Sequence, residues 1–568
     1  MRGASLSISR SFFPSLLLLT SLTATSHPEI FREVPPEASG IKWVHDNGKS
    51  PHRYLPEMAG PGVAIFDFDN DGWMDILLVN SGPSTFHKPS IPEHPALYRN
   101  NHDGTFTDVT QPAGMTTELF GMGVAIGDYD GDGFPDVFIT GVGECVLYHN
   151  NQNGTFTDVT KLSGISPSGW STSAVWFDFD NDGKLDLFIG EFADYSQNKI
   201  CSLAESYGGA SGSAYAQSYY CHPKLFKPAS SRLYRNLRNG RFLDVSRSTG
   251  ISVPGKTWGV VAADINGDGF LDLFVSNDTV ANYLWVNHHG SRFEETGLLS
   301  TVALSSDGST RSGMGVDAGD FDGDGREDLV VGNIDAETTS LYRNLGNGAF
   351  DDVNTKSGVG PVTRLLSTWG VKFIDYDNDG WPDLILCNGH PDDTADQRQN
   401  GIHYRQPLLL LHNLQGRRIE NVSSLAGSAF TKNYAARGLA IGDLNNDGYL
   451  DVVFTENGGP AHILMNNARD NNNWLGLNLE PKRANPAAAG AIIRWSISGK
   501  VFARFKSAGG SFLSSHDPRE VLGAGKGAID WVEVQWPRPS DRIERILHPN
   551  MNRYITVAEG QSSDSRSY

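Results

Sequence analysis

One nine-residue pattern, DxDxDGxxD, occurs seven times along the 568 residues and constrains the fold more than any other feature of the chain. The copies read DFDNDGWMD from Asp67, DYDGDGFPD from Asp128, DFDNDGKLD from Asp178, DINGDGFLD from Asp264, DFDGDGRED from Asp320, DYDNDGWPD from Asp375 and DLNNDGYLD from Asp443. A short apolar run such as GPGVAIF precedes each copy and another such as ILLVN follows it, with the length and residue types of strands. A second element then recurs, as in LYRNNHDGTFTDVT from Leu97 and LYRNLGNGAFDDVN from Leu341, and reads as strand, Asn/Gly turn, strand. Each repeat therefore supplies about four short antiparallel strands, the content of one propeller blade.

The seventh copy lacks its last strand, because no GTFTDVT-like segment follows ILMNN from Ile463. A matching segment, FREVPPEASGI from Phe31, stands instead before the first loop, where it can complete the last blade and remove an exposed sheet edge. The expected fold is all-β: a seven-bladed β-propeller closed by an N-terminal strand over residues 27–470, followed by a small C-terminal β-domain over 471–558. From Asn473 the runs NWLGLNL, GAIIRWSI and AIDWVEVQWP replace the loops with alternating strands, and residues 559–568 form a polar, disordered tail.

Alternate carboxylates at loop positions 1, 3 and 5, a carbonyl at position 7 and Asp at position 9 present about six hard oxygens to one ion, the preference of calcium. The candidate ligands are Asp67, Asp69, Asp71, the Trp73 carbonyl and Asp75 in the first loop, and Asp128, Asp130, Asp132, Phe134 and Asp136 in the second. The third offers Asp178, Asp180, Asp182, Lys184 and Asp186, and the fourth Asp264, Asn266, Asp268, Phe270 and Asp272. The fifth offers Asp320, Asp322, Asp324, Arg326 and Asp328, the sixth Asp375, Asp377, Asp379, Trp381 and Asp383, and the seventh Asp443, Asn445, Asp447, Tyr449 and Asp451. Position 6 is always Gly and position 4 always Gly or Asn, the residues most tolerant of the left-handed region. Up to seven structural calcium ions follow, and they would bring the formal charge from -20 to about -6. The flanks are strands, unlike the helices of an EF-hand.

The acids are thus concentrated in one motif. No basic stripe accompanies them, so nucleic acid is not an expected partner. Arg2 and Arg10, the apolar stretch from Phe12 to Leu22 and the Ala24-Thr25-Ser26 triplet read as a signal peptide over residues 1–26, with no transmembrane segment in the mature chain. The expected location is secreted or extracellular, or the periplasm or cell surface in a bacterium, and the expected state is a monomer. Of the four Cys, Cys201 and Cys221 bracket a Gly/Ser/Tyr-rich stretch within an insertion at 194–231, and an oxidised pair would tie its ends. Cys145 and Cys387 lie in apolar runs suited to buried free thiols.

With these residues in view, the chain resembles the FG-GAP/VCBS repeat proteins of the cartilage acidic protein type, which end in an ASPIC/UnbV domain. The resemblance rests on GPGVAIFDFDNDG, the LYRN and GTFTDVT strands, YCHP from Tyr220, NGH from Asn388, YRQPLLLLHN from Tyr404, and the NWL start and VxVxWP close of the C-terminal region. RPSDRIERI stands where a Gly commonly follows the WP. The loops are also similar to those of integrin α-chain propellers, and in both groups the resemblance implies repeats that form blades and loops that bind calcium.

Catalytic candidates are thin: His390 with Asp392 and Asp393, His222 beside Cys221, and His45 with Asp46. None has the context of a Ser/His/Asp triad, a zinc motif or a phosphate loop. The expected function is binding or adhesion toward an extracellular protein or glycan ligand, through the 194–231 insertion and the segment from His390 to Gln406. The alternative is a propeller enzyme acting on a glycan or small molecule at the channel face. Asn153, Asn277 and Asn421 begin N-x-S/T sequons.

Overall fold

The computed structural model describes residues 29–167, 169–195, 198–207, 218–398, 401–467 and 470–561, together with residues 1 and 3. The expected signal peptide and the end of the polar tail lie outside these residues, as do 208–217 of the insertion.

Each acidic loop joins the first two strands of an antiparallel, sequentially ordered sheet. In the first repeat the strands are Val63–Phe66, Asp75–Leu78, Ala96–Asn100 and Phe106–Asp108. The same order holds in the second, from Gly121–Gly127 to Phe156–Asp158, and in the third, from Trp170–Phe177 to Phe242–Asp244, whose middle connection carries the insertion. The last repeat contributes Ala436–Gly442, Asp451–Glu456 and Ala461–Asn466, and its fourth strand is Phe31–Val34, paired from Phe31 opposite Asn466 to Val34 opposite Ile463.

The expected closed seven-bladed propeller is corrected by the ladders themselves. Among the described residues they form twelve separate sheets of two to five strands, and none of these closes or curls into a barrel or propeller. The physical reason is that the continuous ladder of each repeat ends within its own sheet, so successive repeats meet through side chains and isolated main-chain bonds, such as Gly62 N to the Met122 carbonyl at 2.7 Å, and no repeat's ladder runs on into the next. Three of the twelve are two-stranded, and two belong to the C-terminal region. One of those two holds a parallel pair, Trp474–Glu480 beside Tyr554–Ala558. The C-terminal region also threads among the repeats: Ala508–Gly509 adds a fifth strand to the fourth repeat sheet, against Val261 and Ala262, and Ser511 and Ser515 bridge to Val316 and Ala64.

Hydrophobic clusters lie between sheets. Val79, Leu97 and Leu119 of the first repeat pack with Val137, Ile139 and Tyr148 of the second, and Val63 and Ile76 pack with Leu444, Val453 and Ile463 of the seventh. Full burial of each such side chain is worth about 1.5–3 kcal/mol. Just ahead of the first strands the chain passes close enough to its neighbours to require glycine: a Cβ on Gly62 would stand 1.8 Å from the carbonyl oxygen of Leu513 in the C-terminal region, and one on Gly315 2.0 Å from that of Trp369 in the next repeat. Helices are single turns, and no described helix is long and apolar enough to cross a membrane.

Candidate metal-binding loops

The loop sequence folds locally because its carboxylates collect backbone amides. In the first loop, Asp67 Oδ1 accepts from the Asp71 amide at 3.0 Å and Oδ2 from Gly72 at 2.7 Å, while Asp71 Oδ1 accepts from Trp73 at 2.9 Å. The seventh loop repeats this with Asp443, Asp447, Gly448 and Tyr449. Position 6 is a left-handed glycine in all seven, as at Gly72 (φ 88°), and position 4 is left-handed throughout, Asn70, Asn181, Asn378 and Asn446 at 56–58° included.

The ninth-position Asp is buried at the strand start, and its two oxygens tie the second residue of the loop to the end of the third strand. Asp75 Oδ2 accepts from Phe68 and Oδ1 from Asn100; Asp451 does the same with Leu444 and Asn466. Burial pushes these carboxyls up, Asp75 to about 8, Asp136 and Asp328 to about 9 and Asp383 to about 7. First-position groups rise for the same cause, Asp67 and Asp128 to about 6. Such shifts mark negative charge that lacks compensation.

Groups of three ligand-type side chains converge within 4.8 Å in several loops, among them Asp67, Asp69 and Asp71; Asp128, Asp130 and Asp132; and Asp178, Asp180 and Asp186. Asp69 Oδ1 and Asp180 Oδ1 are buried with no hydrogen-bond partner. Oxygens left over after the amides are satisfied are what a hard cation takes, so the residues present fit a divalent ion. The seventh-position residues Trp73, Phe134, Lys184, Phe270, Arg326, Trp381 and Tyr449 each donate their amide to the fifth-position carboxylate. At the third position Asn266 and Asn445 turn to Asp268 and Asp447 of their own loops.

Two sets of residues that the loop pattern does not contain also shape the site. The Asn that ends each LYRN-like run ties two repeats together. Asn150 Nδ2 donates to the carbonyls of Pro135 in its own loop and Phe68 in the preceding one, Asn287 to Leu271 and Phe179, and Asn100 to Met74 and, in the seventh repeat, Leu444. A second link runs from position 4, where Asn70 Nδ2 donates to the Gly133 carbonyl and Asn446 Nδ2 to that of Gly72. The recurrence of Asn in LYRN, LYHN, LWVN and LLHN is the signal that could have found the first set. The basic residues before that Asn form the second, with Arg235 on Asp180, Arg343 on Asp322, and His149 and His412 against the second and sixth loops.

The C-terminal region covers part of this end. Tyr554 Oη donates to Asp443 Oδ2 at 2.7 Å, Arg519 reaches the Asp443 carbonyl, and Gly525 donates to the Asn378 carbonyl. A cavity of about 1300 Å³ remains between loops and C-terminal strands, lined by Asp128, Asp320, Lys372, Trp381, Arg504 and His516 among others.

At the other candidate positions, the Cys201 and Cys221 sulfurs are bonded, and Cys145 and Cys387 are buried thiols pushed up by burial, Cys145 to about 12. His45 Nδ1 accepts from the Gly458 amide, which leaves Nε2 to donate to Ser81 Oγ at 3.0 Å, so the ring cannot take the serine proton. Burial, with Arg437 and His87, holds His45 down to about 3. His390 is held between the Asp392 amide and Asp335, and His222 accepts from Lys224. The insertion and the segment after His390 meet: Tyr219 bonds Asp392, and Arg53 links Asp393 to the Ser218 carbonyl. Of the three sequons, Asn277 is buried with both side-chain polar atoms engaged, while Asn153 and Asn421 are exposed.

The FG-GAP-like repeat family profile matches residues 67–139, 128–189, 225–275, 264–331 and 320–386, and the ASPIC and UnbV profile matches 481–564. Cartilage acidic protein 1 of Mus musculus is 23% identical over 346 residues, covering 59% of this chain and 50% of the relative. The Homo sapiens protein of that name is 23% identical over 347 residues, covering 60% and 49%. The chain thus spans about half the length of these curated relatives. A solved structure describing recognition of non-reducing terminal N-acetylglucosamine by an Agrocybe aegerita lectin aligns at TM-score 0.39 and 15% identity, over 66% of this chain and 88% of that one.

Proposed function

The chain is a tandem FG-GAP-like repeat protein with a C-terminal ASPIC/UnbV domain, homologous to the cartilage acidic proteins, and from that premise we propose that it is an extracellular binding or adhesion protein whose loops hold calcium. The secreted or extracellular location agrees with this kinship, and the Cys201–Cys221 bond suits an oxidising compartment. The observation that carries the calcium reading is the convergence of loop carboxylates within 4.8 Å, with buried oxygens at Asp69 and Asp180 left unpartnered after the amides are satisfied. Up to seven ions would occupy the loops, with the odd-numbered positions supplying hard oxygens. Their task is structural: they neutralise clustered charge and fix the hairpin ends that bear the Asn ties. The ligand is a protein or glycan met at the insertion and the segment after His390, which Arg53 and the buried Tyr219 hold against one another.

Metal analysis after exhaustive dialysis in calcium should return several equivalents per chain. Chelation should lower the melting midpoint by more than about 10 °C, as expected when ions bound well above their dissociation constants are withdrawn. A chain that retains less than about one equivalent and melts unchanged in chelator overturns the calcium reading. Glycan and peptide arrays, probed with calcium and with chelator, test the binding role separately; the expected outcome is calcium-dependent retention.

A further inference from the structure

Two positions of the seven repeats vary together. Five have Asp at position 3, and each of those five has Arg or His immediately before the tying Asn: Arg99, His149, Arg235, Arg343 and His412. The fourth and seventh loops have Asn266 and Asn445 at position 3, and there the strand residue is Val286 or Met465. Contacts explain the pairing. Arg235 Nη2 lies 2.6 Å from Asp180 Oδ2, and Arg343 Nε lies 2.6 Å from Asp322 Oδ2, in each case the third-position carboxylate. Asp180 is only 11% exposed in its side chain, and its other oxygen has no partner. In the two Asn loops the extra negative charge is missing, and so is the basic strand residue.

We propose that the basic strand residue is a built-in counter-charge for the third-position carboxylate that sets the loop's calcium affinity, so that the seven loops form two classes of site. This rests on the calcium reading above. In the metal-free loop the guanidinium relieves repulsion among four carboxylates. When the ion arrives, the same positive charge opposes it across the shared carboxylate, so the Arg loops exchange some affinity for integrity without metal. The Asn loops reach a similar net charge by dropping one carboxylate and need no basic residue at that strand position.

The test converts the third loop stepwise into the pattern of the seventh. Arg235→Met should lower the melting midpoint in chelator and tighten calcium at one site about three- to tenfold, the effect of removing one partly exposed charge near a dication. Adding Asp180→Asn should return both quantities to near the wild-type values. Calcium affinities would be read by competition with a chromophoric chelator, and midpoints by calorimetry. Arg343→Met with and without Asp322→Asn repeats the cycle in the fifth loop, should the first variant fold poorly. Wild-type protein that takes up calcium, while Arg235→Met and Arg343→Met change neither affinity nor the chelator midpoint, sinks the counter-charge and leaves the calcium reading intact. Wild-type protein that takes up no calcium sinks both, and does so before any variant is made.

Discussion

The first and seventh loops have the same backbone and opposite surroundings. Gly72, in the first, is exposed, and a Cβ there would meet nothing within 4 Å; Gly448, in the seventh, is buried, and a Cβ there would stand 1.9 Å from the Trp474 ring. Asp443 and Asp375 are likewise buried, beneath Tyr554, Arg519 and Gly523, whereas Asp67 and Asp71 face solvent at least in part. One motif therefore does two jobs: at the open loops it is a hairpin end stabilised from within, and at the sixth and seventh it is also the seat of the C-terminal region. The motif's repetition hides this, since the difference is made by C-terminal residues outside the repeats, 26 to 111 positions from the seventh loop's Gly448 and Asp443.

The largest expected effect separates the two roles of one glycine. Both Gly72 and Gly448 sit at positive φ, 88° and 82°. An added methyl strains either backbone by about 1–2 kcal/mol. Only at Gly448 must it also displace a buried tryptophan, so Gly448→Ala should cost about 3–5 kcal/mol against about 1–2 for Gly72→Ala. Paired chemical denaturation curves decide it; equal losses would mean that the C-terminal region does not seat on the seventh loop.

A smaller effect tests the polar half of that seat. Tyr554→Phe keeps the ring against Trp474 and removes the hydroxyl that donates to Asp443 Oδ2. The loss should be about 1–2 kcal/mol in chelator and less in calcium, where the ion satisfies the same carboxylate. A loss that is equal in both conditions would place the Asp443 side chain outside the ion's shell.

What the sequence made legible follows the range of the interactions. Loop positions 1, 5 and 6 bond one another within five residues, so charge pattern and glycine placement announce their geometry. The Asn/Gly turns and alternating runs mark the four strands of a repeat for the same reason. Counting strands does not say whether ladders join, however, and the expected closed propeller went beyond what that count supports. The recurrence of Asn at Asn100 and Asn287 marks those positions, but the carbonyls they bond lie across a sheet boundary in another repeat, which no local pattern indicates. Seating of Ala508–Gly509 on the fourth repeat was hidden as well, since a small-residue stretch carries no periodicity of its own.

The seventh sheet is distinctive at its outer edge as well, where the partner strand comes from the far end of the chain and charge adds to the ladder. Glu33 on Phe31–Val34 accepts from His462 Nδ1 at 2.8 Å and pairs with Lys432 at 2.6 Å, and His462 Nε2 also meets Glu456 at 3.1 Å. The bond to His462 holds Glu33 down to about 2 against burial, while the two carboxylates hold His462 up, outweighing its own burial. A depressed carboxyl contributes stability above its unfolded pKa of about 4.5 that is lost as pH falls toward 2. A raised imidazole contributes stability below about 6.5 that is lost as pH rises through its folded value. The edge is therefore tightest between about pH 4.5 and 6.5, where both groups are charged. Glu33→Gln should cost about 1 kcal/mol in that window and less at pH 3 or pH 9, with the variant's loss read from melts across the range. Hydrogen exchange at the Arg32 and Val34 amides would locate the change at this edge; a loss independent of pH would show that the carboxylate acts there by packing and not by charge.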